Sequence, residues 1–458
     1  MTGHSDSETG DSLIPVKRWA DRFFPDSELK HARGEDMEEH VAAVVGGNLV
    51  LDAEMRRWLG LGEDGSLTFV RRGDQVEVRP NVHSLRKLYI EPTTRCNLSC
   101  KTCVRSTWNE PIGQMSRDVF DLLVGQLGST GSVESVMFGG FGEPLLHPDI
   151  AHMVREIKAL GLKVELVTNG MLLNEKMARS LIDAGLDTLW VSFDGVCEES
   201  FEDIRVGATF VSVLENVRRL QEIQCESEPK IKVAVAFVLM RRNAVDLAHV
   251  GELARGIGAE EVSVSTLIPY SRDMVDEMVY ACYVPRDSVY QLKNYTDEDR
   301  RSYIPVDLPV MTMDDGMREL MAAMLGGYRN LSVAGSAIWP ASPRCRFVDE
   351  RCTFVRWDGA VCPCMGLLHT YRTYLNTLPT ERTVTAYPIG DVTNADLSEI
   401  WDLKEYRDFR DRVARFDFGP CLQCGPCVLV EGNDQDCMGN DFPTCGACLW
   451  AQGAVRCP

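Results

Sequence analysis

Residues 89–103 read Tyr89-Ile90-Glu91-Pro92-Thr93-Thr94-Arg95-Cys96-Asn97-Leu98-Ser99-Cys100-Lys101-Thr102-Cys103. Three thiols, Cys96, Cys100 and Cys103, stand at Cys-x3-Cys-x2-Cys spacing directly after a short apolar run that has the pattern of a strand. Zinc sites usually draw Cys-x2-4-Cys pairs from two separate places in a chain. Three thiolates on one tight loop suit a cubane iron–sulfur cluster instead, with three irons held and the fourth left open. A zinc or disulfide knuckle is the rival reading of the same residues.

Working outward from this loop, the chain alternates strand and helix. Lys87–Ile90 is strand one. Ser116 is placed to cap a helix whose apolar face is Val119, Phe120, Leu123 and Leu127, at helical spacing. Strands are then expected at Ser135–Phe138, Lys163–Val167, Thr188–Phe193, Lys232–Leu239 and Glu261–Leu267. Helices are expected between them at Ile150–Leu160, Asn174–Ala184, Phe210–Gln221 and Val245–Ile257. Repeated β/α units build a parallel sheet covered by helices, and right-handed crossovers close it into a partial barrel. The fold class is therefore α/β. Ligands of such folds sit at the carboxyl ends of the strands.

Those ends carry chemistry. After the second strand comes Gly139-Gly140-Phe141-Gly142-Glu143-Pro144, where glycines permit close backbone approach and a carboxylate suits an ammonium group. The third strand ends in Thr168-Asn169-Gly170 and the fourth in Ser192-Phe193-Asp194-Gly195. Arg205 follows, with a guanidinium fork suited to a carboxylate.

The three cysteines after strand one, with the glycine-rich Gly-Glu-Pro loop, resemble the radical S-adenosylmethionine (SAM) enzymes. The resemblance implies a [4Fe–4S] cluster on Cys96, Cys100 and Cys103, its open iron chelated by SAM. It implies SAM contacts at Gly140, Gly142 and Glu143 for the amino group, and at Thr168 and Asn169 for the ribose. Ser192 and Asp194 are implied as further polar contacts, Arg205 as the carboxylate partner, and the backbone of Val238-Leu239-Met240 as an adenine contact. The residue before the third cysteine is usually aromatic in this family; here it is Thr102, which bears on adenine packing and not on iron ligation.

The 458 residues suffice for two to four domains. Hydrophobic residues make up 45% and charged residues 25%, ordinary for a globular chain. The net charge of −20 argues against a nucleic-acid partner, which would want a basic face. No apolar run approaches the roughly 20 residues that span a bilayer, and the polar N-terminus has no signal pattern, so a cytoplasmic location is expected. All seventeen cysteines follow residue 95, which in such a compartment favours metal ligation over disulfides.

Residues 1–39 are polar and irregular, with a short helix expected near Trp19–Phe24. Residues 40–82 form a small unit. Val41–Val45 and Asn48–Leu51 flank Gly46-Gly47, a hairpin signal. Asp52 is placed to cap a helix to Leu59, and Leu67–Arg71 and Gln75–Val78 make a second hairpin. This order resembles the AbrB-type swapped-hairpin module, which implies a homodimer; a plain packing unit is the alternative. The partial barrel takes residues 83–270. Residues 271–340 lose the periodicity and read as a bridging or substrate-covering insertion.

Residues 341–458 are cysteine-rich. Phe354–Trp357, Asp358-Gly359 and Ala360–Cys362 form a strand–turn–strand pattern, and Cys345-x13-Gly359-x4-Cys364 resembles the opening of the SPASM/twitch extension of radical SAM enzymes. Ile389–Val392 and Leu397–Trp401 resemble its linker. The tail supplies Cys421, Cys424, Cys427, Cys437, Cys445, Cys448 and Cys457. The resemblance implies two auxiliary [4Fe–4S] clusters. We assign the first to Cys345, Cys352, Cys364 and one late cysteine, and the second to Cys421, Cys424, Cys457 and one middle cysteine; a four-thiolate zinc ribbon is the rival. Cys197, Cys225 and Cys282 are expected to be buried hydrophobes.

The N-terminal pattern, the run Leu88–Thr93 with Thr102 and Arg105, and the ending Pro443-Thr444-Cys445-Gly446-Ala447-Cys448-Leu449-Trp450 together resemble the radical SAM/SPASM maturases associated with tungsten-cofactor oxidoreductases. That implies reductive cleavage of SAM to a 5′-deoxyadenosyl radical, a ferredoxin or flavodoxin reductant, and a tungsten oxidoreductase or its cofactor as substrate. A peptide-modifying maturase and a non-enzymatic iron–sulfur or zinc scaffold are the alternatives.

Overall fold

The computed structural model describes the strand segments 43–45, 48–50, 67–72 and 75–80, then residues 82–226, 229–279, 306–308, 331–333, 345–375, 380–419, 421 and 427–456. The chain divides into two compact units, residues 1–81 and 82–458. In the first, β1 (Ala43–Val45) pairs antiparallel with β2 (Asn48–Val50), and β3 (Leu67–Arg72) with β4 (Gln75–Pro80). Arg72 pairs with Gln75 at the end of the second pair. The helices expected near residue 19 and after Asp52 lie outside the described residues.

The second unit is built on one large sheet. β5 (Lys87–Ile90), β6 (Ser135–Phe138), β7 (Lys163–Thr168), β8 (Thr188–Ser192), β9 (Lys232–Leu239) and β10 (Glu261–Thr266) lie side by side in chain order, every pair parallel. Between them run α1 (Arg117–Ser129), α2 (Ile150–Ala159), α3 (Glu175–Ala184), α4 (Glu198–Ile204), α5 (Phe210–Ile223) and α6 (Val250–Gly256). This is the expected α/β partial barrel. Leu88, Ile90, Val136, Phe138, Val164, Leu166, Leu189 and Val191 are all buried, as strands covered on both faces require.

Ser116 caps its helix as the sequence predicts, and two further helix ends are closed locally. Ser116 Oγ accepts the Val119 N–H at 3.2 Å, and Asn174 Oδ1 accepts the Met177 N–H at 3.0 Å; each satisfies one of the orphan donors at a helix start. Gly185, at φ 82°, ends α3 in the left-handed conformation. Gln126 joins Phe120, Leu123 and Leu127 on the buried face of α1.

Three expectations are corrected. Residues 271–340 are not only an insertion: β11 (Val306–Leu308) and β12 (Leu331–Val333) extend the sheet beyond β10, both parallel. The helix expected from Val245 begins as a tighter 3-10 turn at Arg241–Ala248, with α6 starting at Val250. Cys197 and Cys225 are exposed rather than buried hydrophobes; each lies at a helix boundary, outside the apolar stripe. Cys282 lies outside the described residues.

The cysteine-rich region continues the same sheet at its other edge. After the one-turn α7 (Arg346–Asp349), β13 (Cys352–Val355) pairs parallel with β5, setting Cys352 against Lys87 and Val355 against Ile90. Tyr89 and Phe354 stack at 4.3 Å across that seam. β14 (Ala360–Cys362) returns antiparallel and pairs with β17 (Gly390–Asp391). β15 (Tyr371–Leu375) and β16 (Thr380–Val384) form a separate hairpin. α8 (Leu397–Asp402) docks on α1, where Gln126 donates to the Val392 carbonyl at 2.9 Å and accepts the Leu397 N–H at 3.1 Å. α9 (Lys404–Arg415) follows. Among the described residues no helix is long and apolar enough to cross a membrane.

Candidate functional site

The cysteine loop leaves the carboxyl end of β5 and is pinned on both sides. Thr93 Oγ1 donates to the Gly113 carbonyl at 2.8 Å, and the Gly113 N–H donates to Thr94 Oγ1 at 2.8 Å. On the other side the N–H groups of Ser99 and Lys101 donate to the carbonyls of Val206 and Ile204, each at 3.0 Å. Cys96, Cys100 and Cys103 are half-buried. Burial pushes the Cys100 thiol up to about 11 and raises Cys103 as well; Cys100 has Cys103 and Cys96 among its electrostatic neighbours, and Cys103 has Cys96. Cys96 thus lies within electrostatic reach of both other thiols of the loop. That donor set fits three corners of a cubane with an open fourth.

The glycine-rich loop after β6 wraps this loop. A side chain at Gly142 would collide with the Thr93 carbonyl oxygen, and Gly140 takes φ 103° directly over Glu91; both positions require glycine. The Glu143 N–H donates to the Arg95 carbonyl at 2.7 Å. Its carboxylate is buried and already accepts three bonds: from Leu145 N at 3.0 Å, Thr168 Oγ1 at 2.7 Å and Asn169 N at 2.7 Å. Burial raises the carboxyl above its ordinary value against the pull of these donors. Glu143 therefore holds the β7 turn in place. Asn169 Nδ2 in turn donates to Asn97 Oδ1 at 2.9 Å and lies 3.8 Å from Cys96 Sγ. Gly140, Gly142, Glu143, Thr168 and Asn169 are thereby brought together at the cysteine loop.

Asp194 and Arg205 come together as well. Arg205 Nε is 2.9 Å from Asp194 Oδ2, with the carboxylate fully buried and the arginine nearly so. The contact is an ion pair and not an aligned hydrogen bond. Asp194 Oδ1 accepts the Val238 N–H at 2.9 Å. Burial opposes the guanidinium charge, but Asp194, Cys100 and Cys96 outweigh it and hold Arg205 above its ordinary value. Arg205 thus faces the cysteine loop. Ser192 lines a cavity of about 220 Å³ together with Thr102 and Val238.

One part of the site left little trace in the sequence. Glu91, at the end of β5, accepts the Phe141 N–H at 3.1 Å and contacts His369 Nε2 at 2.8 Å. Glu110 accepts the Thr370 N–H at 3.0 Å and stands 3.7 Å from His369 Nδ1. A carboxylate closing an apolar strand was the available signal for Glu91. Nothing local marked His369.

The late cysteines sort differently from the sequence-based partition. Cys345, Cys364, Cys445 and Cys448 line one apolar cavity of about 50 Å³. Burial pushes Cys345 up to about 12 and raises the other three. Cys352 does not line this cavity; it is buried on β13 beside Lys87, and a second late cysteine takes its place. Cys421 and Cys437 flank a contact between Gly419 and Gly446, where a side chain at either glycine would crowd a sulfur at 3.1 Å. Cys427 is half-buried. Cys424 and Cys457 lie outside the described residues. Four buried thiols around one void match a closed four-thiolate cluster in donor set.

The profile of the radical SAM superfamily matches residues 90–253, and that of the SPASM iron–sulfur cluster-binding domain matches residues 345–427. The tungsten-containing aldehyde ferredoxin oxidoreductase cofactor-modifying protein of Pyrococcus furiosus is 28% identical over 82% of this chain and 97% of its own length. The AdoMet-dependent heme synthase of Methanosarcina barkeri is 31% identical over 42% of this chain and 54% of its own. Streptococcus suis SuiB, solved bound to S-adenosylmethionine, aligns over 75% of this chain and 71% of its own at 16% identity and a TM-score of 0.49. A radical SAM domain implies a [4Fe–4S] cluster with SAM, and a SPASM domain implies auxiliary iron–sulfur clusters. The chain is an enzyme of the radical SAM superfamily, with a SPASM iron–sulfur domain following its radical SAM domain.

Proposed function

We propose that this enzyme reductively cleaves SAM and uses the product to modify the cofactor of a tungsten-containing oxidoreductase. The observation that carries the reading is the convergence of Cys96, Cys100 and Cys103 with Arg205 and the Gly140–Glu143 loop at one end of the sheet. The substrate class rests on the likeness to the Pyrococcus cofactor-modifying protein along nearly that protein's whole length.

The cluster with SAM, when bound, supplies one-electron cleavage to methionine and a 5′-deoxyadenosyl radical that takes hydrogen from an unactivated C–H bond. The protein's part is binding, orientation and exclusion of water. Cys96, Cys100 and Cys103 hold three irons. Arg205, kept charged by Asp194, holds the carboxylate of SAM, and Gly140 and Gly142 let the backbone approach its amino group. Thr168, Asn169, Ser192 and Asp194 supply the remaining polar contacts. Glu143 acts through the turn it holds. Cys345, Cys364, Cys445 and Cys448 hold one auxiliary cluster, and Cys421, Cys424, Cys457 and one middle cysteine the other. A ferredoxin or flavodoxin supplies the electron.

Anaerobically reconstituted protein, given dithionite and SAM, is expected to release 5′-deoxyadenosine, and a Cys103→Ala variant to release none. An immature tungsten oxidoreductase cofactor is expected to raise the yield. A wild-type protein with full iron content and no 5′-deoxyadenosine would sink the proposal. Stimulation by a short peptide instead of the cofactor would move the substrate to the peptide class.

A further inference from the structure

The cavity of about 220 Å³ is lined by residues of four adjacent strands, β7 to β10. Ala236 and Val238 of β9 and Ser263 and Ser265 of β10 line it, sharing one face because side chains alternate along a strand. The C-terminal segment closes it on the β10 side: Thr266 N donates to the Ala454 carbonyl at 3.3 Å, and Arg456 N to Ser265 Oγ at 3.0 Å. Trp450 and Arg456 thereby enter the wall. Thr102, next to the third cysteine of the loop, lines the same space.

Arg456 is the one charged side chain in that wall among the described residues. It is 8% exposed, and a guanidinium keeps its proton at neutral pH. Trp450 is 9% exposed, and its buried Nε1 has no hydrogen-bond partner. A buried donor without an acceptor costs about 1–3 kcal/mol, which a ligand oxygen would recover. The wall therefore offers a cation and an indole N–H, and no carboxylate. A guanidinium and an N–H lining one cavity suit a phosphate or carboxylate, although Trp450 lines the four-thiol cavity as well.

We propose that Arg456 and Trp450 form an anion-binding subsite that anchors a phosphate or carboxylate group of the substrate. The subsite lies at β10, five strands across the sheet from the cysteine loop on β5. SAM, in the reading above, occupies the ends of β5 to β9, and the inference rests on that placement in assigning the β10 end to the substrate. An anchor here leaves the rest of the substrate extending along the cavity toward Thr102.

The test uses the full-length, anaerobically reconstituted protein saturated with SAM, titrated calorimetrically with inorganic pyrophosphate and, separately, with succinate. Wild type is expected to bind at least one of them, and the stronger of the two identifies the group as phosphoryl or carboxylate. Arg456→Gln is expected to weaken that binding by about tenfold or more, and Arg456→Lys, which keeps the cation, to lose less. Trp450→Phe removes only the N–H and is expected to weaken binding severalfold. SAM affinity is expected to be unchanged in all three. Equal anion binding by wild type and Arg456→Gln overturns the proposal, as does failure of wild type to bind either anion. A parallel loss of SAM affinity would assign Arg456 to the carboxylate of SAM and overturn it too. Because the titration does not depend on turnover, it is separable from the radical reading: absence of 5′-deoxyadenosine with intact anion binding would remove the latter alone.

Discussion

His369 Nε2 lies 2.8 Å from Glu91 Oε2, and both side chains are almost completely buried. The pair joins the end of β5 to the loop before β15, and Glu91 carries the contact onward to the Phe141 N–H of the glycine-rich loop. The cysteine-rich region thus reaches the loop proposed to bind SAM through the His369 imidazole. His369→Ala leaves a buried carboxylate short of a partner, which costs about 1–3 kcal/mol. A lowered unfolding midpoint is expected, together with a raised KM for SAM. An unchanged KM would limit His369 to a packing role.

Arg205→Gln strands the Asp194 carboxylate, which is fully buried. Removing one partner of a buried pair costs about 3–5 kcal/mol. The variant is expected to lose SAM-dependent 5′-deoxyadenosine formation at least tenfold even where enough of it folds to assay, since the proposed carboxylate fork is gone. The double variant Arg205→Gln with Asp194→Asn should regain stability without regaining SAM cleavage; melting curves and product assays read the two separately.

Gly142→Ala places a methyl group against the Thr93 carbonyl oxygen, a backbone atom with little freedom to give. Iron incorporation at the three-cysteine loop is expected to persist, with SAM binding reduced about tenfold or more, a loss of roughly 1.4 kcal/mol. Gly131→Ala is the control, since a side chain there meets nothing within 4 Å.

Iron content distinguishes the two partitions of the late cysteines. Cys364→Ala and Cys445→Ala are each expected to remove roughly four irons of about twelve, because both line the same void. Cys352→Ala is expected to leave the content unchanged. Loss of iron from Cys352→Ala would return that residue to the first auxiliary cluster.

Much of the barrel was legible locally. β5, β6 and β9 occupy the ranges their apolar runs indicate, and Ser116 caps the helix it precedes. Such features depend on neighbours in the chain, so spacing reveals them. The late cysteines were different. Cys345 and Cys352 look alike in sequence, yet only Cys345 reaches the four-thiol cavity, because strand β13 commits Cys352 to the seam with β5. β11 and β12 were missed since three-residue strands carry too little periodicity to be read.

By itself the sequence determined the parts of the proposed SAM site: three thiols on one loop, a glycine-rich turn beside them, and repeated β/α units to carry both. Those are short-range patterns, in which residue type and spacing decide what the backbone does and what it can ligate. Only the tertiary structure decided the rest. It paired β13 with β5, set His369 on Glu91, gathered Cys345, Cys364, Cys445 and Cys448 around one void, and folded Arg456 into the cavity wall. Each of these joins residues far apart in the chain. Contacts of that kind are selected by packing of the whole sheet, and no local spacing encodes them.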